Sequence, residues 1–364
     1  MNRCIPPQNI NKAFNGDGDA SRFPAGIFSG CKATTGSREV VRANANSWVA
    51  FDVIGANNFI LAVFSIDKLD MWVYAVDGNY VNPQKVQAFE LFNGDRISIM
   101  VKTGAAGSYN MRVHAATLPQ ILIGHSILAV GGATPSTAPL DLTNSYITLP
   151  GGPINSNVKF LDHKAATQFT PDVIPKTADS FFRFTMEADS SWQWALNITR
   201  LDPQAIDSTP RPVLFAPDRN EATVDNPVFV TTKNNTWVDF VFIASNATPM
   251  PPHPVHKHGN KMYHLGSGTG AWTWKSVNDA IAANPSAFNL VNPPKVDAVM
   301  TPGVDPANNL PTWTAIRYHV TDPGAWALHC HIHNHVEGGM LAVIQDGIDK
   351  WPTIPQEYWN ILDS

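Results

Sequence analysis

Residues 329–340 read His329-Cys330-His331-Ile332-His333-Asn334-His335-Val336-Glu337-Gly338-Gly339-Met340. A thiol stands between two imidazoles. A third imidazole follows at His335 and a thioether at Met340. Two imidazoles, one thiolate and a weak axial thioether form the donor set of a blue-copper site. Side chains alternate between the two faces of a strand. An extended 329–331 therefore puts His329 and His331 on one face and Cys330 on the other.

Upstream, His253-Pro254-Val255-His256-Lys257-His258-Gly259 carries the same alternation. His256 and His258 share a face, and His253, an odd number of residues away, faces the opposite side. If the two segments are neighbouring strands, two sites result. One face gathers His253 and Cys330, joined by His335 and Met340 from the following loop. This trigonal set of sulfur and nitrogen donors with an axial thioether selects copper. The other face gathers His256, His258, His329 and His331, imidazoles able to hold several coppers. Because Cys330 is bonded to both His329 and His331, an electron accepted at the first site has a short covalent route to the second. Such a pair of sites separates one-electron oxidation of a reductant from reduction of another molecule.

Nine of the 12 histidines lie between His253 and His335, under a quarter of the chain. His333 occupies a spacer position, which points to an outer role in the loop. His114, His125, His163, His264 and His319 stand alone and read as ordinary core or surface residues. A tetrahedral structural zinc site leaves both Met340 and the second imidazole face unexplained.

The rest of the chain indicates strands. Of 364 residues, 44% are hydrophobic and only 15% charged, with 29 Pro, 24 Gly and 11 Trp. That mix suits turn-rich β architecture and two domains. A net charge of −5 offers no basic surface for nucleic acid or anionic lipid. No apolar run reaches the roughly 18 residues of a membrane span. Trp48–Ile54, Phe59–Ile66, Met71–Ala75, Val86–Leu91, Arg96–Val101 and Tyr109–Ala115 read as strands, with Asp77-Gly78 and Asn93-Gly94 as turns. Phe181–Glu187, Trp192–Ile198, Val238–Ala244, Trp313–Val320 and Trp326–His329 read likewise, and Lys275–Ala283 has helical spacing. Between them, residues 131–175 form a Pro- and Gly-rich connector. No internal repeat is visible.

At the two histidine motifs the chain resembles the multicopper oxidases, the laccase-like and ferroxidase-like family. The resemblance extends through Arg317–Trp326 and, in the first half, through Phe64-Ser65-Ile66-Asp67 and Ala75–Val81. Lys257–Tyr263 and Asp346–Pro352 look most like the fungal pigment-pathway branch. The resemblance implies an all-β fold: two cupredoxin-like Greek-key sandwich or barrel domains, 1–130 without copper and 176–364 with it, joined by 131–175. These correspond to the second and third domains of a three-domain oxidase. The first, with its two His-x-His motifs, has no counterpart here, so half the ligands of the trinuclear cluster are expected from elsewhere.

By the same resemblance, His253, Cys330 and His335 bind type 1 copper with Met340 axial and form the electron entry. His256 serves type 2 copper; His258, His329 and His331 serve type 3. The implied activity is an oxidoreductase, laccase-like, that oxidises phenolic or aromatic molecules one electron at a time and reduces O2 to water. A ferroxidase taking Fe(II), with Glu337 as a candidate iron-binding carboxylate, is the alternative within the family. A copper-binding or electron-transfer protein without oxidase turnover is the alternative outside it. The family implies a secreted or cell-wall location, and the sequons at Asn197, Asn234 and Asn246 agree. The stretch Met1–Pro7 has no apolar core, so no signal peptide is expected from it. Cys4 and Cys31 suit either a disulfide or two buried thiols.

Overall fold

The computed structural model describes residues 37–58, 61–115, 123–138, 140–188, 193–196, 213–215, 229–245, 250–304 and 308–362. Cys4, Cys31 and the sequons at Asn197 and Asn246 lie outside them, whereas Asn234 enters an exposed turn. Strands dominate, and the chain divides into two compact units, Met1–Thr170 and Pro171–Ser364.

The first unit holds β1 (Val40–Ala43), β2 (Trp48–Ile54), β3 (Ala62–Ile66), β4 (Met71–Val76), β5 (Asn79–Val86), β6 (Ala88–Leu91), β7 (Arg96–Lys102), β8 (Gly107–Ala115) and β9 (Ile123–Val130). They form two sheets, ordered β1-β9-β8-β3-β6 and β2-β7-β4-β5. Period-two alternation builds the interior: on β7, Ile97, Ile99 and Val101 are fully buried while Ser98 and Met100 face outward.

The expected connector is, as far as Thr170, part of this unit. Phe169 N–H donates to Tyr80 O and Asn82 N–H to Thr167 O, both at 2.9 Å, so the segment runs along the outer edge of β5. Half-buried His163 lies against Phe92 with ring centroids 5.0 Å apart and planes tilted by 32°, and desolvation of the ring lowers its pKa to about 4. The Pro and Gly content that suggested a free linker instead lets the chain follow an edge strand whose amides need partners.

The second unit holds β10 (Ser180–Ala188), β11 (Trp194–Leu196), β12 (Phe229–Thr231), β13 (Trp237–Ala244), β14 (His253–Lys257), β15 (Met262–Thr269), β16 (Lys295–Val296), β17 (Ala298–Thr301), β18 (Thr312–His319), β19 (Gly324–Cys330) and β20 (Leu341–Asp346). Its sheets are ordered β11-β10-β13-β18-β15-β16 and β12-β20-β19-β14-β17. Three short helices join them: α1 (Val277–Ala283), α2 (His333–Glu337) and α3 (Gln356–Leu362). Ser276 caps α1 by accepting from Asp279 N–H. Through Val277 and Ala280, α1 joins Trp272 and Trp313 in one cluster, with Trp274 and Phe288 packed on it. This cover explains why β18 is buried along seven of its eight residues.

Each unit contains the same buried ion pair. Arg112 on β8 grips Asp67 through Nε at 2.6 Å and Nη2 at 2.8 Å, and Nη2 also donates to Asp141 O. Arg317 on β18 grips Asp239 on β13 at the same two distances, and its Nη1 donates to Pro175 O at 2.6 Å. Both arginines are fully buried. The two units thus share a device that the sequence hides, an Arg-x-His strand (Arg112-Val113-His114, Arg317-Tyr318-His319) set against an acidic neighbour.

Removing one partner of such a pair leaves a buried charge unmatched, so Arg317→Ala is expected to cost the second unit about 3–5 kcal/mol. Arg317→Met combined with Asp239→Leu should recover most of that loss. Chemical-denaturation midpoints of the three chains check both outcomes.

Candidate metal centre

β14 and β19 are antiparallel neighbours, with Val255 opposite Cys330, His256 opposite His329 and Lys257 opposite Leu328. Directly opposed residues project to the same face. His256 and His329 therefore lie on one side of the sheet, and His253, Val255 and Cys330 on the other. After Cys330 the chain turns; His331 N–H donates to Pro254 O at 2.6 Å. α2 then returns His335 beneath the sheet. Met340 N–H donates to His335 O, and Cys330 N–H to Met340 O, so the loop closes on itself at fully buried Met340.

On the inner face three donor atoms converge. Cys330 Sγ lies 3.5 Å from His253 Nδ1 and 3.5 Å from His335 Nδ1, and the two Nδ1 atoms are 3.0 Å apart. Atoms bound to one ion at about 2.0–2.3 Å stand roughly 3.3–3.8 Å from each other, so slight expansion makes this a ligand triangle. All three residues are buried. Burial holds His253 down to about 3 and His335 well below its usual value, so both rings are neutral and able to ligate. The same burial pushes the Cys330 thiol up to about 12, against one opposing N–H from Ile332 at 3.4 Å. A cation between the three atoms supplies the missing charge, and the donor set fits copper.

On the other face, His256, His258 and His329 form a second group with donor atoms within 4.8 Å of one another. Here Nε2 faces inward. His256 Nδ1 lies 2.6 Å from Asp297 O and His329 Nδ1 lies 2.8 Å from Cys330 O. A carbonyl can only accept, so both Nδ1 atoms carry the hydrogen and both Nε2 atoms carry the ring lone pair. His258 Nε2 and His329 Nε2 are 3.1 Å apart. Burial lowers His329 to about 4. His331 flanks this group, its ring centroid 5.6 Å from His329 and 5.8 Å from His256. His258 is exposed and the other two are half-buried or nearly so.

The remaining histidines stand apart. His333 is exposed beside Glu337, at 3.8 Å. His114 bonds Thr148 O, and His319 stacks on Trp237 with centroids 4.5 Å apart.

Three contributions escaped sequence reading. Trp194, from β11, stacks on His335 with centroids 4.0 Å apart. Met250 Sδ lies 3.3 Å from His253 Nε2. Lys257, fully buried, pairs with Asp346 at 2.6 Å, donates to His258 O at 2.9 Å and lies over Tyr318 at 4.4 Å. Asp346 also accepts from Tyr318 and Thr232 hydroxyls. Lys257 did leave a signal: its parity places it on the buried face of β14, where a lysine needs a partner. Gly259 follows at φ +83°, with the Trp326 ring where a Cβ would stand.

Comparison with known proteins gives a consistent result. A family model described as multicopper oxidase matches residues 183–350, and a second of the same description matches 5–133. Laccase ustL of Ustilaginoidea virens is 35% identical over 93% of this chain and 53% of its own length. Laccase abr2 of Aspergillus fumigatus is 34% identical over 96% of this chain and 58% of its own. Among solved structures, a laccase from Botrytis aclada superposes with a TM-score of 0.71 at 19% identity, covering 95% of this chain and 59% of that one. Fet3p, described as a multicopper oxidase that functions in iron import, superposes at 0.67 and 16%, covering 90% and 61%. These superpositions give both units the cupredoxin fold. The chain spans between half and three fifths of the length of the curated relatives it matches.

The inner triangle makes a proton count. With the rings already neutral and the thiol still protonated at pH 7, binding a soft ion releases one proton per ion, from Cys330. Affinity should rise about tenfold per pH unit between roughly pH 5 and 9, a slope of one. Competition with a chelator across that range tests this; a slope of two or three contradicts the ring assignments.

Proposed function

The chain belongs to the multicopper oxidase family, and from that membership we propose that it works as a laccase-like oxidoreductase. It oxidises phenolic or other aromatic reductants one electron at a time and passes the electrons to O2, which is reduced to water. His253, Cys330 and His335, with Met340 in the axial position, would hold the copper that accepts electrons. His256 would serve the type 2 position, and His258, His329 and His331 the type 3 positions. Copper bound there supplies one-electron redox chemistry.

The chain's own residues do the rest. The sheet excludes water from Cys330. Asp297 O and Cys330 O fix the tautomers of His256 and His329, so that both present Nε2. Lys257 holds the His258 carbonyl, and through Asp346 it ties β14 to β20. The observation that carries the reading is the link between the faces. His329 is bonded to Cys330 and its Nδ1 also meets Cys330 O at 2.8 Å, which gives an electron a path of bonds and one hydrogen bond from sulfur to the second face.

The half-open His256, His258 and His329 face supports a second reading, an electron-transfer protein without oxidase turnover. Its three imidazoles come to one side only, and the longer relatives leave room for ligands from elsewhere. Ferroxidase action is the in-family rival: Glu337 is exposed beside the inner site and available to Fe(II). A secreted or cell-wall location is part of the proposal. Among the described residues, no helix is long and apolar enough to cross a membrane.

Copper loading separates these readings. The 364-residue chain is expected to take up copper with intense blue absorption. Cys330→Ser should abolish the blue colour, whereas His258→Ala should leave it intact. Oxygen uptake with a phenol by the same preparation supports the oxidase; a blue protein that consumes none supports the electron-transfer reading. Blue absorption that survives in Cys330→Ser contradicts the inner-site assignment.

A further inference from the structure

We propose that Trp194 is a positioning residue of the Cys330 site, fixing the ring of His335 and hence the direction of its Nδ1. The proposal rests on the reading of His253, Cys330 and His335 as copper ligands. Those three side chains reach the site with unequal support. His253 belongs to β14, where its backbone N–H donates to Thr301 Oγ1 and its carbonyl accepts from the same hydroxyl at 2.9 Å. Its Nε2 meets Met250 Sδ at 3.3 Å. A thioether is only a weak acceptor, so Nε2 carries the hydrogen and Nδ1 keeps its lone pair for the metal. Cys330 is held in register with Val255, and Ile332 N–H donates to its sulfur.

The backbone of His335 is held, its N–H donating to Ile332 O and its carbonyl accepting from Met340 N–H, both at 2.9 Å, but its ring has no support like that of His253. It rides on α2, only five residues long, whose N-cap residue Ile332 makes no side-chain cap bond. A helix that short does not hold itself together. Among the described residues no hydrogen bond fixes the ring at Nε2. Its restraint is the indole. Trp194 lies over the imidazole with centroids 4.0 Å apart and planes 29° apart. The same indole meets His253 edge-on, at 5.1 Å and 69°, so one side chain touches both ligand rings. Its own placement is tied to the loop it organises, because Trp194 N–H donates to Gly338 O at 3.1 Å. Trp194 is only 2% exposed and His335 1%. The stack therefore does for His335 what Met250 and Thr301 do for His253. It sets the ring plane, and it keeps water from that face of the imidazole.

A ring held this way should bind copper more tightly and show a defined ligand field. Outer groups that orient metal ligands typically change metal affinity about 10- to 100-fold when lost. The test uses the full chain as wild type, Trp194→Phe and Trp194→Leu, each loaded with copper. Three readouts apply: chelator competition, the blue absorption band with its electron paramagnetic resonance signal, and the unfolding temperature of the metal-free protein. The expected result is that Trp194→Leu weakens copper retention by that factor and shifts the blue band. Trp194→Phe, which keeps a stacked ring, should stay near wild type, and the two variants should unfold at similar temperatures without metal. A Trp194→Leu chain with wild-type affinity and spectrum overturns the proposal. So does a loss in both variants that simply follows their unfolding temperatures, since that marks plain core packing. A wild-type chain that takes copper without blue absorption overturns the ligand reading itself, and this proposal with it.

Discussion

The peptide link from His329 to Cys330 turns their side chains to opposite sides of one sheet, and the rest of the second unit is arranged around that constraint. Extended backbone leaves no other choice for consecutive residues. Pairing with β14 in the observed register then fixes which upstream histidine meets which side: His256 joins His329, and His253 joins Cys330. A shift of one residue would exchange every partner. Register is therefore the quantity the fold must protect. The long six-stranded sheet, its Trp272 and Trp313 cover and the Arg317–Asp239 grip all stiffen the scaffold that carries it.

The two faces then acquire different chemistry from the same residue types. On the inner face burial is complete, and the rings present Nδ1 to one another and to a sulfur. On the outer face carbonyl acceptors occupy Nδ1 of His256 and His329 and put the ring lone pair on Nε2. The inner triangle is closed within this chain. The outer group is half open, and it is supported from below by Lys257, whose charge is matched by Asp346 at full burial. A buried lysine between two histidines is costly unless paired, and here the pair also clamps the His258 carbonyl.

Much of this was legible in the residues. Trp48–Ile54 has the bounds expected, and β7 exceeds its expected end by one residue, because alternation in both and the Asn93-Gly94 turn before β7 are strong local signals. The separation of the histidines onto two faces follows from parity alone. What escaped depended on distant partners. β5, Asn79–Val86, is a polar edge strand containing Pro83, and its order comes from the segment at 159–169 that lies along it. α2 is too short to show helical periodicity inside a motif already rich in histidine. Trp194 reads as one more apolar strand residue; nothing near it in sequence announces His335, 141 positions away. The paired Arg–Asp clasps were hidden because each joins residues far apart in the chain, 45 positions in one unit and 78 in the other, with little more than an Arg-x-His triplet repeated around them.

The central claim is that Cys330 and its two histidine neighbours serve opposite faces. Anomalous scattering at the copper edge from crystals of the copper-loaded chain tests it most directly. The account predicts a peak bounded by Cys330 Sγ, His253 Nδ1 and His335 Nδ1, with His329 and His331 outside its coordination sphere. A peak ligated by Cys330 together with His329 or His331 would contradict it.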